Sequence, residues 1–130
     1  MIKLRTPCKC NKGHFNYLYY NVNNGYVKDT RFSYPFCECN NVDFYKQCGD
    51  DEQWIGLYDK NDKEIYEKDI TRDFNSVRNV VIFYLGGFCF DLASYHKVIY
   101  YGNYDFFKWD DKGKSDNIEI IGNIHEGVKE

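Results

Sequence analysis

The sequence predicts a mainly β protein, on three observations. Its 130 residues carry 13 Tyr, 10 Phe and 2 Trp against one Met and one Ala. That balance favours a pleated, half-buried surface over helices. Short apolar runs recur between tight polar turns, and hydrophobic content is an ordinary 43%, enough for one domain of common size with a small appended lobe.

The elements follow in chain order. Aromatic-rich Phe15–Val22 reads as a strand that enters Asn23-Asn24-Gly25 and returns through Tyr26-Val27, because Asn-Gly supplies the positive φ angles of a hairpin turn. Pro35 ends that unit. Asn41 is a candidate cap for a short helix over Val42–Cys48, with Gly49 as its left-handed stop. A strand over Gln53–Tyr58, a polar turn over Asp59–Lys63 and a strand over Glu64–Ile70 come next. Val80–Leu85 is apolar on consecutive positions, as in a strand buried on both faces, and Gly86-Gly87 turns it into Phe88-Cys89-Phe90. Leu92, Tyr95, Val98 and Ile99 fit a helical stripe, while Val98–Tyr101 fits a strand equally well. Phe106–Trp109, a turn at Asp110–Gly113 and Ile118–Ile121 close the chain, and the last residues look frayed. Short strands from 53 to 126 joined by tight turns suggest a small antiparallel barrel. The division is a cysteine-rich hairpin lobe over 1–50 and a barrel over 51–130.

No run of about 18 apolar residues suits a membrane span, and the first residues do not continue into the apolar core of a signal peptide. The expectation is a cytoplasmic protein. Net charge is −3, unevenly placed. Residues 1–40 hold six Lys/Arg against two acids (+4), and the remainder eleven against eighteen (−7). A basic head on an acidic body suits nucleic acid or an acidic partner, and equally two solvated faces.

Six cysteines in a reducing compartment are poor candidates for disulfides. Cys8-Lys9-Cys10 and Cys37-Glu38-Cys39 are matching C-x-C pairs separated by 26 residues and flanking the expected hairpin. A hairpin brings its ends together, so Cys8, Cys10, Cys37 and Cys39 are candidate ligands of a structural zinc ion, four thiolates completing a tetrahedral shell. His14 and Cys48 are alternative ligands. The competing reading makes the cysteines small buried hydrophobes, and Cys89, inside an apolar strand, is one of these. A redox switch fits less well, since C-x-C lacks the C-x-x-C context.

Residues 53–70, Gln-Trp-Ile-Gly-Leu-Tyr-Asp-Lys-Asn-Asp-Lys-Glu-Ile-Tyr-Glu-Lys-Asp-Ile, resemble the signature of the YopX family of bacteriophage and prophage proteins, with Gly56, Leu57, Asp59, Lys60, Asn61, Lys63, Glu64, Ile65, Tyr66, Glu67, Asp69 and Ile70 matching. The closing Ile120-Ile121-Gly122-Asn123-Ile124-His125-Glu126 resembles the end of the same family. The resemblance covers 53–126; the cysteine-bearing first fifty residues do not match the family pattern. Asp62 and Lys68 stand where the family usually has glycine. The resemblance implies an SH3-like barrel, a phage or prophage origin and no catalytic residues. Physically, Ile65, Tyr66 and Ile70 are expected to pack inward, with Asp59, Asn61 and Asp69 setting turns.

Three functions compete. Against an enzyme, His14, His96 and His125 form no Ser-His-Asp or Cys-His set of recognisable spacing, and no phosphate-cradling loop is present. For single-stranded nucleic acid, Lys9, Lys12, Phe15, Tyr17 and Tyr19 interleave positive charge with aromatics. The favoured reading is a phage accessory protein that binds a host protein, in its sharpest form an inhibitor of a host-defence nuclease such as a Cas nuclease (an anti-CRISPR protein). A homo-oligomeric phage protein is the rival.

Overall fold

A computed structural model describes residues 2–22, 45–84, 87–92, 97–100 and 108–129. Among the described residues there are eleven strands: β1 (Ile2–Lys9), β2 (Phe15–Val22), β3 (Lys46–Gln47), β4 (Glu52–Tyr58), β5 (Glu64–Tyr66), β6 (Asp69–Asp73), β7 (Arg78–Tyr84), β8 (Gly87–Leu92), β9 (Lys97–Tyr100), β10 (Ile118–Asn123) and β11 (Gly127–Val128). All strand pairings are antiparallel, and no helix occurs among the described residues. The chain forms two compact units, Met1–Gln53 and Trp54–Glu130.

In the first unit β1 and β2 pair over their full length, from Ile2 opposite Val22 to Lys9 opposite Phe15. The strand expected over Phe15–Val22 is therefore present, and its described partner is the segment before it. The return strand expected after Asn23-Asn24-Gly25 lies outside the described residues. The other edge of β1 takes β3, with Cys8 opposite Gln47, and the start of β4, with Arg5 opposite Glu52. The helix expected over Val42–Cys48 is not what Lys46 and Gln47 form: they add to β1, and the Cys48 amide donates to Pro7 O at 2.9 Å. So short a helix leaves most of its backbone groups unpaired, whereas the edge of β1 supplies partners.

In the second unit a six-stranded sheet runs β11-β10-β6-β7-β8-β9, and Trp54–Tyr58 of β4 pairs with β5. The core is Ile55, Ile65, Val81, Phe90, Trp109 and Ile118, with Phe90 and Trp109 stacked at 6.2 Å between ring centroids. Val81 and Phe90 are direct cross-strand partners.

Three turns of this unit have one design. In Asp59-Lys60-Asn61-Asp62-Lys63 the Asp59 carbonyl accepts from the Asp62 amide, and its Oδ1 accepts from the amides of Asn61 (2.9 Å) and Lys63 (3.0 Å). Asp73 does the same for Ser76, Asn75 and Val77, and Asp110 for Gly113, Lys112 and Lys114. The fourth residue of each is left-handed: Asp62 at φ 63°, Ser76 at 62°, Gly113 at 82°. This is a type I turn closed by a G1 bulge, with the aspartate side chain saturating the inner amides. It explains the departure at Asp62, which keeps the left-handed conformation that glycine adopts without strain. Lys68 likewise sits at φ 68°.

Lys68 also corrects the expected single strand over Glu64–Ile70. The left-handed residue breaks it into β5 and β6, and Asp69 Oδ2 accepts from the Tyr66 amide at 2.8 Å across the break. Ile65 and Tyr66 are buried as expected. Ile70 is only half-buried; Asp69, Thr71 and Asp73 take the buried side of β6. Along β7 Val81 is buried, but Val80 and Ile82 are half-buried and Phe83 is exposed, so this strand is not covered on both faces. The hairpin across Gly86-Gly87 does form, with Tyr84 opposite Gly87, although Leu85 and Gly86 lie outside the described residues.

The chain end is paired, not frayed: β11 adds to β10, and the Lys129 amide donates to Ile121 O at 2.7 Å. A Cβ at Gly122 would overlap the Gly127 carbonyl oxygen and lie 2.9 Å from Val128 Cα. Asn123 Oδ1 accepts from the amides of His125 and Glu126, which builds the turn between β10 and β11. Both residues of this closing motif are thus fold-building.

Gly122→Ala is expected to lower stability by about 1–3 kcal/mol, the usual cost of forcing atoms into a packed site. Lys68→Gly should raise it by up to about 1 kcal/mol through relief of left-handed strain. Urea denaturation followed by tryptophan fluorescence measures both. Asp59→Asn, which exchanges a carboxylate oxygen for an amide donor in a fully buried seat, should cost about 3 kcal/mol in the same assay.

Candidate functional site at the first hairpin

The sequence places its chemistry-bearing residues around the β1–β2 hairpin. The turn Cys10-Asn11-Lys12-Gly13-His14 has the backbone of the three aspartate turns. The Gly13 amide donates to Cys10 O at 2.9 Å, the Cys10 amide to His14 O at 3.1 Å, and Gly13 is left-handed at φ 84°. Cys10 therefore occupies the position that aspartate holds elsewhere, and its Sγ lies 3.6 Å from His14 Nδ1. Cys8 is buried, and its thiol donates to Asn16 O of β2 at 3.2 Å. Cys48 follows β3 and is exposed. Partial desolvation pushes the Cys48 thiol above its ordinary value in spite of the positive charge of Lys9. Cys37 and Cys39 lie outside the described residues. Among the described residues no group of three or more His, Cys, Asp or Glu gathers as metal donors would. Cys89 is fully buried, as its apolar strand predicts.

The aromatic row takes a different part. Phe15, Tyr17 and Tyr19 alternate along β2 and touch in sequence, the first pair edge-on at 4.9 Å and the second tilted at 6.2 Å. Tyr17 is engaged with the fold, its ring 3.9 Å from the Arg5 guanidinium. Tyr19 is 58% exposed, and Lys9 and Lys12 are exposed. Lys9 stands opposite both Phe15 and Lys46, so two like charges face each other at this end of the hairpin.

A buried ion pair holds the hairpin, and sequence reasoning missed it. Arg5 Nε donates to Glu52 Oε1 at 2.8 Å, with both side chains at or below 5% exposure. Beside it Asp51 accepts from Thr6 Oγ1 at 2.6 Å and from the Tyr20 hydroxyl. Nothing in the spacing of residues 47 positions apart announces such a pair.

The second unit offers a polar groove of about 350 Å³, lined by Lys60, Arg72, Phe74, Asp116, Asn117 and Glu119 among others. Three of its charges are engaged with one another: Glu119 Oε2 meets Lys60 Nζ at 2.9 Å and Arg72 Nη2 at 3.5 Å. The hydrogen bond from Lys60 holds the Glu119 carboxyl below its ordinary range.

Antiparallel strands, aspartate-built turns and a cysteine-bearing first hairpin define a small mainly β protein whose signature residues serve the fold. The chain belongs to the YopX protein family, whose model matches residues 13–129. The match is wider than 53–126 and takes in β2, β3 and all of 23–44, so the expectation that the first fifty residues stand outside the family is corrected. Membership marks the chain as phage- or prophage-associated. No curated protein matches it.

Removing one partner of the buried pair, by Arg5→Met or Glu52→Gln, should cost about 3–5 kcal/mol, while replacing both by apolar residues should cost far less. Chemical denaturation of the two single variants and the double variant measures the difference.

Proposed function

We propose that the protein is a non-catalytic phage or prophage accessory protein that acts by binding a host protein. The supporting observation is an apolar pair beyond the core. Val81 and Phe90 are the last fully buried cross-strand pair between β7 and β8, and the next pair on the same side is Phe83 and Phe88. Their rings meet edge-on at 5.2 Å, yet Phe83 is 58% exposed. A protruding aromatic supported by a second ring is the kind of anchor that protein interfaces use. The narrower form of the reading, inhibition of a host-defence nuclease of the anti-CRISPR type, rests on phage association and predicts restored plaquing of a targeted phage in cells that express the chain.

The test is crosslinking in the host cell, comparing the natural chain with Phe83→Ser. The expected result is one host protein captured in stoichiometric amount by the natural chain and lost with the variant, whose thermal unfolding stays close to normal. Capture of the chain alone would overturn the reading in favour of a homo-oligomer. Nuclease-sensitive capture would favour single-stranded nucleic acid, a second reading that the facing Lys9 and Lys46 and the exposed Tyr19 support.

A further inference from the structure

We infer that the polar groove of the second unit, where β6 turns into β7 and β10 begins, is a binding site for a neutral saccharide. Its volume of about 350 Å³ falls within the range of about 300–1,000 Å³ that small-ligand sites occupy. The site is independent of Phe83 and so goes beyond the protein-binding reading.

The walls of the groove are held before any ligand arrives. Asp73 Oδ1 accepts from the amides of Asn75 at 2.9 Å and Val77 at 3.0 Å, which fixes the turn that carries Phe74 and the left-handed Ser76. Ahead of β10 the Asn117 amide donates to Ser115 Oγ at 3.2 Å, and Ser115 is buried. Glu119 ties Lys60 to Arg72. Groups already placed lose little freedom when a ligand binds.

Charge selects the class of ligand. The lining sets Lys60 and Arg72 against Asp73, Asp116 and Glu119. Both cations already meet Glu119, so a phosphate or sulfate would compete with a carboxylate for them and face Asp116 as well. A cationic ligand would meet Lys60 and Arg72. A wholly apolar ligand finds too little surface, because Ile118 is fully buried and Phe74, 57% exposed, is the aromatic contact on offer.

A sugar ring answers each of these demands. One of its faces carries C–H bonds, whose partial positive charge suits the negative face of an aromatic ring. Its edge carries hydroxyls that donate and accept together. Among the described residues the Asp116 carboxylate, the Ser76 hydroxyl and the Asn117 side-chain amide line the groove without a hydrogen-bond partner. The first accepts, and the other two both donate and accept.

The experiment follows amide NMR spectra of the full-length chain during titration with neutral hexoses, N-acetylhexosamines and their disaccharides, and with a sulfated disaccharide for comparison. The expected result is saturable shifts of the Phe74, Ser76 and Asn117 amides with at least one neutral sugar, at about millimolar concentration, and none with the sulfated one. Phe74→Ala and Asp116→Ala should each weaken binding about tenfold. Phe74→Tyr, which keeps the ring, should bind within about twofold of the natural chain. Unshifted amides of Val81 and Phe90 in the core show that each variant is folded. No saturable shift with any neutral sugar would overturn the inference. Shifts with the sulfated disaccharide alone would overturn it in favour of an anion site, and undiminished binding by Phe74→Ala would overturn it by placing the sugar elsewhere.

Discussion

The fold of the second unit depends on one buried carboxylate. Asp59 is fully buried, and its two oxygens accept three backbone N–H groups, from Asn61 and Lys63 within its own turn and from Ile120 on β10 at 3.0 Å. An unpaired charge at that depth would be prohibitive; with its acceptor sites filled by amides it becomes a three-way tie. The Lys60 amide donates to Ile118 O at 2.9 Å beside it, and Tyr58 is bridged to Lys114. The β4–β5 turn is thereby fixed to β10, over a core in which Ile55, Ile65 and Ile118 meet.

The second unit uses one turn three times, at residues 59, 73 and 110. Each turn needs an aspartate and a left-handed fourth residue, and the chain meets the second demand with Asp62, Ser76 and Gly113. Tolerance of non-glycine residues there, and at Lys68, shows that the side-chain hydrogen bonds outweigh the local strain. At the first hairpin the same backbone carries the Cys10 thiol in place of the carboxylate.

The first unit is held differently. Its hairpin leans on the Arg5–Glu52 pair, on Tyr17 against the Arg5 guanidinium, and on Asp51 receiving Thr6 and Tyr20. The exposed Lys9, Lys12 and Lys46 lie at the other end of β1 and around the turn. The family match over 13–129 takes in β2 and β3 of this unit, while β1, with Arg5 and Lys9, precedes it.

The sequence by itself determined the β class, the hairpins at Asp59–Lys63 and Gly86-Gly87, the turn at Asp110–Gly113 and the family. Each rests on local rules: aromatic strand preference, turn residues at fixed offsets, and a contiguous signature. It also offered Cys10 as a candidate metal ligand and His14 as an alternative one, without showing that the two side chains lie 3.6 Å apart. Tertiary structure decided which neighbour each strand takes. Phe15–Val22 pairs with β1, Lys46 and Gln47 become a strand because β1 offers an edge, and the chain end is ordered because Gly122 admits β11. It alone decided the Arg5–Glu52 pair and the exposure of Phe83. Partners 47 residues apart are chosen by packing and by the satisfaction of buried polar groups, and short-range pattern carries neither.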